Sequence, residues 1–305
     1  MNRKILVIGS SNTDMVIKSS RLPSPGETIL GGNFYMNPGG KGANQAVAAA
    51  RLGGEVIFLC KTGNDIFGKT ARQHFIDMGI NVEHVIFDAD HPSGVALINV
   101  DEKGENSITV ASGANGNLLA EEVEKVIELT ASQVKIILLQ LEIPLESVLR
   151  AIKKGASLGK TIILNPAPAQ ILPDEIYPLI DFITPNEKEV SLLAGIEVED
   201  EDDAASAAEI LFKKGVNNVI VTLGEEGAYV ASANLRKTIP AKKVKAVDTT
   251  AAGDVFSGAL ATALSEDMDL ESAIKFGCAA AAISVTRLGA QNSAPFRKEL
   301  SIEIS

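Results

Sequence analysis

Tryptophan is missing from the 305 residues, and aromatic side chains make up just 4% of them. A core built from this chain is therefore aliphatic, and few rings exist on which single-stranded nucleic acid could stack. Cysteine occurs twice, at Cys60 and Cys278, too sparsely for a disulfide framework and without metal spacing. The three histidines, His74, His84 and His91, show no paired ligand spacing, which argues against a histidine-bound catalytic metal. Basic residues are outnumbered, 28 against 39 acidic ones, and the net charge of −11 repels polyanions such as nucleic acid. No apolar run is long enough to span a bilayer, and that of "MNRKILVIGSSNTD" is too short for a signal peptide. A cytoplasmic protein without membrane or nucleic-acid partners is expected.

What is present is a rhythm. Continuous apolar runs such as "KILVIG" (4–9), "EVIFLC" (55–60), "KIILLQ" (135–140), "TIILN" (161–165), "DFITP" (181–185) and "NVIVTLG" (218–224) suit strands buried on both faces. Between them lie helical patterns, among them "GANQAVAAARLG", "EEVEKVIELTA", "PLESVLRAIKKGASLG" and "DDAASAAEILFKKG". This alternation predicts an α/β fold with a doubly wound, mostly parallel sheet and helices on both faces. Two stretches break the rhythm: turn-rich 13–38, and 93–111, which reads as a hairpin turning at Glu102–Gly104. They are expected to form a small β-sheet lid on a single domain covering 1–305. The acidic run "EVEDEDD" (197–203) reads as a solvated helix start.

Four motifs compete for the chemistry. "GNDIFGKT" (63–70) matches the phosphate-binding P-loop pattern and stands between strand-like and helix-like segments. A P-loop hydrolase also needs an aspartate ending a later strand for Mg²⁺; the later strands end mostly in "LLQLE", "ILNP" and "ITPN", and the one Asp-ended run, "HVIFDAD", is followed by no helix. "GASLG" (155–159) matches a nucleophile elbow, but it follows a helix and precedes a strand, the reverse of the required order. In "AVDTTAAGDVFSGALATAL" (246–264), Ala251, Ala252 and Gly253 precede a long helical pattern whose first N–H groups would face outward as an anion site. Asp254 there has two readings: a dipole-favoured residue at a helix start, or a base taking a proton beside a bound phosphate. In "NPGGKGANQAVAAARLG" (37–53), glycines 39, 40 and 42 allow close backbone approach, while Lys41 and Asn44 offer donors suited to a polyhydroxy ligand. Asn12 and Asp14, ending the first strand, add polar groups where doubly wound sheets bind ligands.

"GGKGANQAVAAARLG" and "DTTAAGDVFSGA" resemble the two signatures of the ribokinase-like (PfkB) carbohydrate kinases. The resemblance extends through "GSSNTD", "LQLEIPLE", "LNPAPA", "TPNEKE", "TLGEEGA" and "VTRLGAQNS", over nearly the whole chain. It implies ATP-dependent phosphorylation of D-ribose at its 5-hydroxyl, with deoxyribose or nucleoside kinases as the alternative, and a homodimer clasped through the lid. By motif, Asn12, Asp14, Gly40, Lys41, Asn44 and Glu142 would bind sugar, Asp254 would be the catalytic base, and Gly253 with Ala251 and Ala252 would form the anion hole. ATP would meet Asn186, Thr222, Gly224 and Gly227. The "NEKE" stretch through Glu189 would organise Mg²⁺ and phosphate, and Cys278 stands where relatives often place His or Asn near adenine. Asp248, Thr250, Ser284, Arg287, Gly289 and Ser293 match loops that hold an activating K⁺, several through backbone carbonyls. The family binds nucleotide away from residues 63–70, so "GNDIFGKT" is expected to be coincidental.

Overall fold

The computed structural model describes residues 3–300. Its first third comprises β1 (Lys4–Ile8), β2 (Asn12–Lys18), β3 (Asn33–Gly39), α1 (Lys41–Arg51), β4 (Val56–Gly63), α2 (Ile66–Asp77), β5 (Val85–Asp88), β6 (Gly94–Val100) and β7 (Asn106–Ala111). Then come α3 (Ala120–Thr130), β8 (Val134–Leu139), α4 (Leu145–Ser157), β9 (Thr161–Leu164), β10 (Phe182–Ile183), α5 (Glu187–Ala194) and α6 (Glu201–Lys213). The chain closes with β11 (Asn218–Thr222), β12 (Ala228–Ser232), β13 (Arg236–Ile239), α7 (Ala252–Ser265) and α8 (Leu270–Ser284).

Nine strands form one sheet in the order β13-β12-β11-β10-β9-β8-β1-β4-β5. Every pairing from β11 to β5 is parallel, and the hairpin β12–β13 closes the other edge antiparallel. The apolar runs are continuous because alternate residues serve opposite faces. Leu6 and Ile8 pack in a core with α3 and α4, whereas Ile5 and Val7 pack with residues of α1. Helix α7 is buried along most of its length, and with α8 it builds a third cluster around Phe256 and Phe276. The acidic run does start a helix: the Asp200 carboxylate accepts the Asp203 N–H at 2.9 Å and caps α6. "GASLG" is the turn from α4 to β9, and its Ser157 hydroxyl donates to the Lys154 carbonyl.

The two irregular stretches supply a separate four-stranded sheet, ordered β3-β2-β6-β7. Its hairpin turns at Asp101–Glu105, where the Asp101 carboxylate accepts the N–H groups of Lys103 and Glu105. Register puts Asn12, Asp14 and Val16 on one face. Met15, Ile17, Phe34, Met36 and Leu97 share the other, where Phe34 is 60% exposed and Met36 54%. No helix among the described residues is long and apolar enough to cross a membrane.

Candidate active site

From β1 the chain moves to β4 on one side and later returns to β8 on the other, so the carboxyl ends of β1 and β8 flank a crevice. Helix α1 starts there, pressed against the end of β1. A Cβ on Gly42 would lie 2.5 Å from the Ser10 nitrogen, and one on Gly40 would lie 2.7 Å from the Asn12 nitrogen. Gly40 also holds φ at +89°, which glycine adopts freely. The helix start is fully engaged. Glu142 Oε2 accepts from the Lys41 N–H at 2.9 Å and from the Ser10 hydroxyl at 2.5 Å, while the Gly42 and Ala43 N–H groups turn to Ser10. Glu142, expected beside the sugar, is thus also the anchor of α1.

Helix α7 starts differently. Ala251 sits in the left-handed region at φ 61°, a strain of order 1–3 kcal/mol that tends to collect at functional sites. No side chain caps this helix, and the N–H groups of Gly253 and Asp254 have no partner among the described residues. A Cβ on Gly253 would meet nothing within 4 Å. Unpartnered amides beside the positive end of the helix dipole are the chemistry that an anion would need.

The Asp254 side chain turns away from those amides. It is 5% exposed, and both oxygens accept from α1: Oδ2 from Asn44 Nδ2 at 2.9 Å and Oδ1 from Gln45 Nε2 at 2.9 Å. Burial pushes its pKa up, opposed by the Lys41 ammonium and the two amides. Burial works against the charge of Lys41 as well, but the carboxylates of Asp254, Glu142 and Glu189 outweigh it and hold its pKa above the ordinary value. Asp14 is pushed up to about 6, first by burial and then by Glu142 and Asp254. Its carboxylate covers Gly39, where a Cβ would lie 2.2 Å from Asp14 Oδ1. Asn12 Oδ1 is held by Asn115 Nδ2 at 2.8 Å. Asn44 Oδ1 is buried without a partner among the described residues, an acceptor free for a ligand hydroxyl.

A pocket of about 140 Å³ has Lys41, Asn165, Glu189 and Asp254 in its wall. It shares Asn186, Thr222, Thr249, Ala252 and Gly253 with a cleft of about 470 Å³ that runs past Gly224, Gly227 and Cys278. That volume lies within the range of small-molecule sites. The Cys278 thiol, pushed up to about 12 by burial, is a neutral wall. Asn186 and Glu189 cap α5 reciprocally, the Glu189 N–H donating to Asn186 Oδ1 and the Asn186 N–H to Glu189 Oε2, each at 2.9 Å. Burial raises the Glu189 pKa against that bond and Lys41.

Of the expected cation residues, Asp248, Thr250 and Gly289 come together at a crossing of two loops. The Asp248 carboxylate accepts the N–H groups of Thr250 and Gly289, each at 2.9 Å, and the N–H groups of Val247 and Asp248 both donate to the Val285 carbonyl. Burial would raise the Asp248 pKa, but those hydrogen bonds hold it below the ordinary value, so the loops carry a fixed negative charge. An oxygen-rich crossing of this kind fits a monovalent cation. The Arg287 side chain leaves to pair with Glu299 at 2.6 Å, and the hydroxyls of Ser284 and Ser293 donate to the Ala281 and Ala290 carbonyls. Arg287 therefore has only its backbone carbonyl to offer a cation, whereas both serine oxygens keep lone pairs. For Mg²⁺, no three His, Cys, Asp or Glu side chains converge as a ligand set among the described residues. The donor set fits Mg²⁺ carried mainly by phosphates and water, with Glu189 and Asn186 nearby.

At "GNDIFGKT" the P-loop reading fails on geometry. Asp65 caps α2, accepting the Gly68 N–H at 2.9 Å, so a carboxylate already occupies the helix start. Lys69 and Thr70 are exposed on the first turns of α2. His74 is half-buried beside Phe75 rather than on the open surface.

A buried polar set carried no signal by residue type: the amides of Gln45, Gln140 and Asn165, with Thr184. The last three each follow the last residue of a strand, β8, β9 and β10. That position was the available signal, since doubly wound sheets bind ligands beyond their carboxyl ends.

Comparisons with known proteins bear on the family and the fold. The model of the pfkB family carbohydrate kinases matches residues 2–297. A ribokinase of Haemophilus influenzae is 46% identical over 299 residues, covering 98% of this chain and 97% of its own. A deoxyribokinase of Salmonella typhi is 41% identical over 292 residues, covering 95% of each. The solved structure of Arabidopsis thaliana ribokinase complexed with ribose and ATP superposes with a TM-score of 0.87 at 32% identity, covering 98% of this chain and 97% of that one. The chain belongs to the pfkB family of carbohydrate kinases. It is an ATP-using sugar kinase with the ribokinase-like α/β fold.

Proposed function

We propose that the chain phosphorylates D-ribose at its 5-hydroxyl, giving ribose 5-phosphate and ADP. The observation that carries this reading is the meeting of a bare helix start at Gly253 with a buried, amide-held carboxylate at Asp254, where the pocket adjoins the cleft. Sugar would be held by Asn12, Asp14, Gly40, Lys41 and Asn44, of which only Lys41 lines the pocket, and nucleotide in the cleft by Asn186, Thr222, Gly224 and Gly227, with Cys278 toward the base.

As the sugar oxygen bonds to the γ-phosphorus and the bond to the β–γ bridging oxygen breaks, Asp254 takes the hydroxyl proton. The charge on the transferring group meets the Gly253 and Asp254 N–H groups, with Ala251 and Ala252 shaping the turn that presents them. Mg²⁺, when bound with the nucleotide near Asn186 and Glu189, supplies charge neutralisation at the phosphate oxygens.

Three further parts belong to the same reading. K⁺ at the Asp248 crossing would brace the loop that leads to Ala251, so turnover is expected to rise when potassium replaces sodium at equal ionic strength. The apolar outer face of the small sheet, with Met15, Ile17, Phe34, Met36 and Leu97, would be the homodimer surface, while its Asp14 face covers the sugar as a lid. Cytoplasmic placement accords with two buried, unpaired thiols.

The deciding experiment measures ADP release with ribose, 2-deoxyribose, fructose and adenosine. Ribose is expected to give the highest kcat/KM. The deoxyribokinase relative makes 2-deoxyribose the competing acceptor, and a preference for it would move the substrate assignment without touching the catalytic residues.

A further inference from the structure

Asn44 and Gln45 both hold Asp254, yet the structure backs only one of them. Gln45 is fully buried in a network whose donor and acceptor directions allow one arrangement. Asn165 Nδ2 donates to the Thr184 carbonyl at 2.8 Å, and a carbonyl can only accept. Asn165 must therefore present Oδ1 to Gln45, and Gln45 Nε2 donates to it at 3.0 Å. The same Nε2 donates to Asp254 Oδ1 at 2.9 Å. Gln45 Oε1 is left to accept from Gln140 Nε2 at 2.6 Å, and Gln140 is fully buried too. Turning the Gln45 amide over would set oxygen against Asn165 Oδ1 and against the Asp254 carboxylate, whereas Gln140, whose Oε1 has no partner among the described residues, is not itself fixed. Asn44 has no such backing, because its Oδ1 is unpartnered among the described residues.

We infer that Gln45, locked in one amide orientation by Asn165 and braced by Gln140, is the positioning residue that holds Asp254 aimed and in its proton-accepting form. This rests on the reading of Asp254 as the base. Locked as a donor, Gln45 cannot accept a proton from Oδ1, so a proton placed on the lone pair that faces it would displace that hydrogen bond. The proton taken from the sugar hydroxyl must then sit on a lone pair facing the pocket, from which it leaves readily after each turnover. The other charged groups around Asp254 are Lys41 on α1, Glu142 beyond β8, Asp14 on β2 and Glu189 on α5. Of these Lys41 favours the carboxylate, whereas the three acids oppose it, as does burial. The amide clamp thus acts with Lys41 in favour of the charged base.

The test is the pH profile of kcat with both substrates saturating, so that protonation of Asp14, which acts on sugar affinity, is removed from view. In Gln45→Met the acid limb is expected to move up by about one pH unit, the effect of losing a hydrogen bond to a charged group. Above that limb kcat should recover to within about tenfold of the native rate, which a general packing defect would not allow. Gln45→Glu, which sets an acceptor against Oδ1, should move the limb further. Gln140→Met leaves both donors to Asp254 in place but removes the donor that braces Gln45 Oε1, and should move it less. This last variant also carries the test should Gln45→Met not fold, as judged by thermal melting. An acid limb unmoved in folded Gln45→Met, or in folded Gln140→Met where that variant carries the test, overturns the inference. Asp254→Asn is run alongside: if it keeps most of its turnover, the base assignment itself falls, which distinguishes the two failures.

Discussion

Helices α2 and α7 both begin where a glycine-containing turn delivers an aspartate, and they use it in opposite ways. At α2, Asp65 folds back over its own helix, accepting the Gly68 N–H, and it also accepts the Ser93 N–H at 2.8 Å and hydroxyl at 2.6 Å. At α7, Asp254 stands three residues inside the helix and reaches to Asn44 and Gln45 of α1, leaving the Gly253 and Asp254 N–H groups unclaimed. The difference shows in acidity. Burial works to raise Asp65, but its hydrogen bonds from Ser93, Gly68 and Phe67 outweigh it and hold it below the ordinary value. For Asp254 burial wins. A helix start binds an external anion only if the chain has not already spent its amides, and a sequence pattern does not report whether it has.

The sharpest way to break this contrast is to fill the bare start. Gly253→Val places its new atoms in open space on the wall shared by pocket and cleft, so folding has no reason to suffer. Valine also has a higher helix propensity than glycine, and the melting temperature should hold or rise slightly. Activity is expected to fall by roughly 10²–10³, the loss typical of removing oxyanion-type donors. A lively Gly253→Val enzyme would mean that the phosphoryl group passes elsewhere.

Acidification should separate the two aspartates next. Asp254 has a raised pKa and Asp14 is near 6, so both lose charge while Asp65, below its ordinary 3.8, keeps its own. A base must be unprotonated, so kcat should fall as pH falls. The sugar KM should rise by roughly tenfold per unit below about 6 if only ionised Asp14 binds. The stability that depressed Asp65 contributes is present above pH 3.8 and lost as pH falls through its folded value. Rates and melting curves across pH 4–7 should therefore show activity vanishing from a protein that is still folded.

The strands of the large sheet were legible in the sequence because parallel strands covered on both faces are continuous apolar runs. The hairpin β12–β13 was not, since "RKTI" lies at an edge with two exposed residues and carries no such run. At the site, Gly253 and Asp254 could be read because a small-residue turn before a helix has a local meaning. Gln45 could not be assigned a role, for its partner Asp254 lies 209 residues away and only the order of the sheet brings them together. Glu142 was expected beside a sugar. Its bonds to Lys41 and Ser10 add a helix-anchoring role that the spacing of 101 residues to Lys41 conceals.

At α2 the expected effects turn from rate to stability. Asp65→Ala removes a helix cap and the tie to Ser93, the residue that leads into β6 of the small sheet. A loss of about 1–2 kcal/mol is expected, a few degrees in the melting temperature. Because the tie anchors one root of the lid, the sugar KM should rise a few-fold while kcat stays near native. A tenfold or greater loss of kcat would mean that this turn does more than hold structure.

The smallest effect is expected at the residue that first suggested nucleotide binding. In a working P-loop, Lys69 would reach the β- and γ-phosphates, and its loss would cripple turnover. Here Lys69 is exposed on α2, whose amides are met by Asp65, and the cleft that adjoins Asp254 is built from other segments. Truncating an exposed side chain with no partner to strand changes stability by within about 0.5 kcal/mol. Lys69→Ala should therefore keep native kcat, native KM for ATP and a native melting curve, measured beside Gly253→Val under the same conditions. An inactive Lys69→Ala together with an active Gly253→Val would reverse the roles of the two helix starts, and with them the placement of the phosphoryl-transfer site.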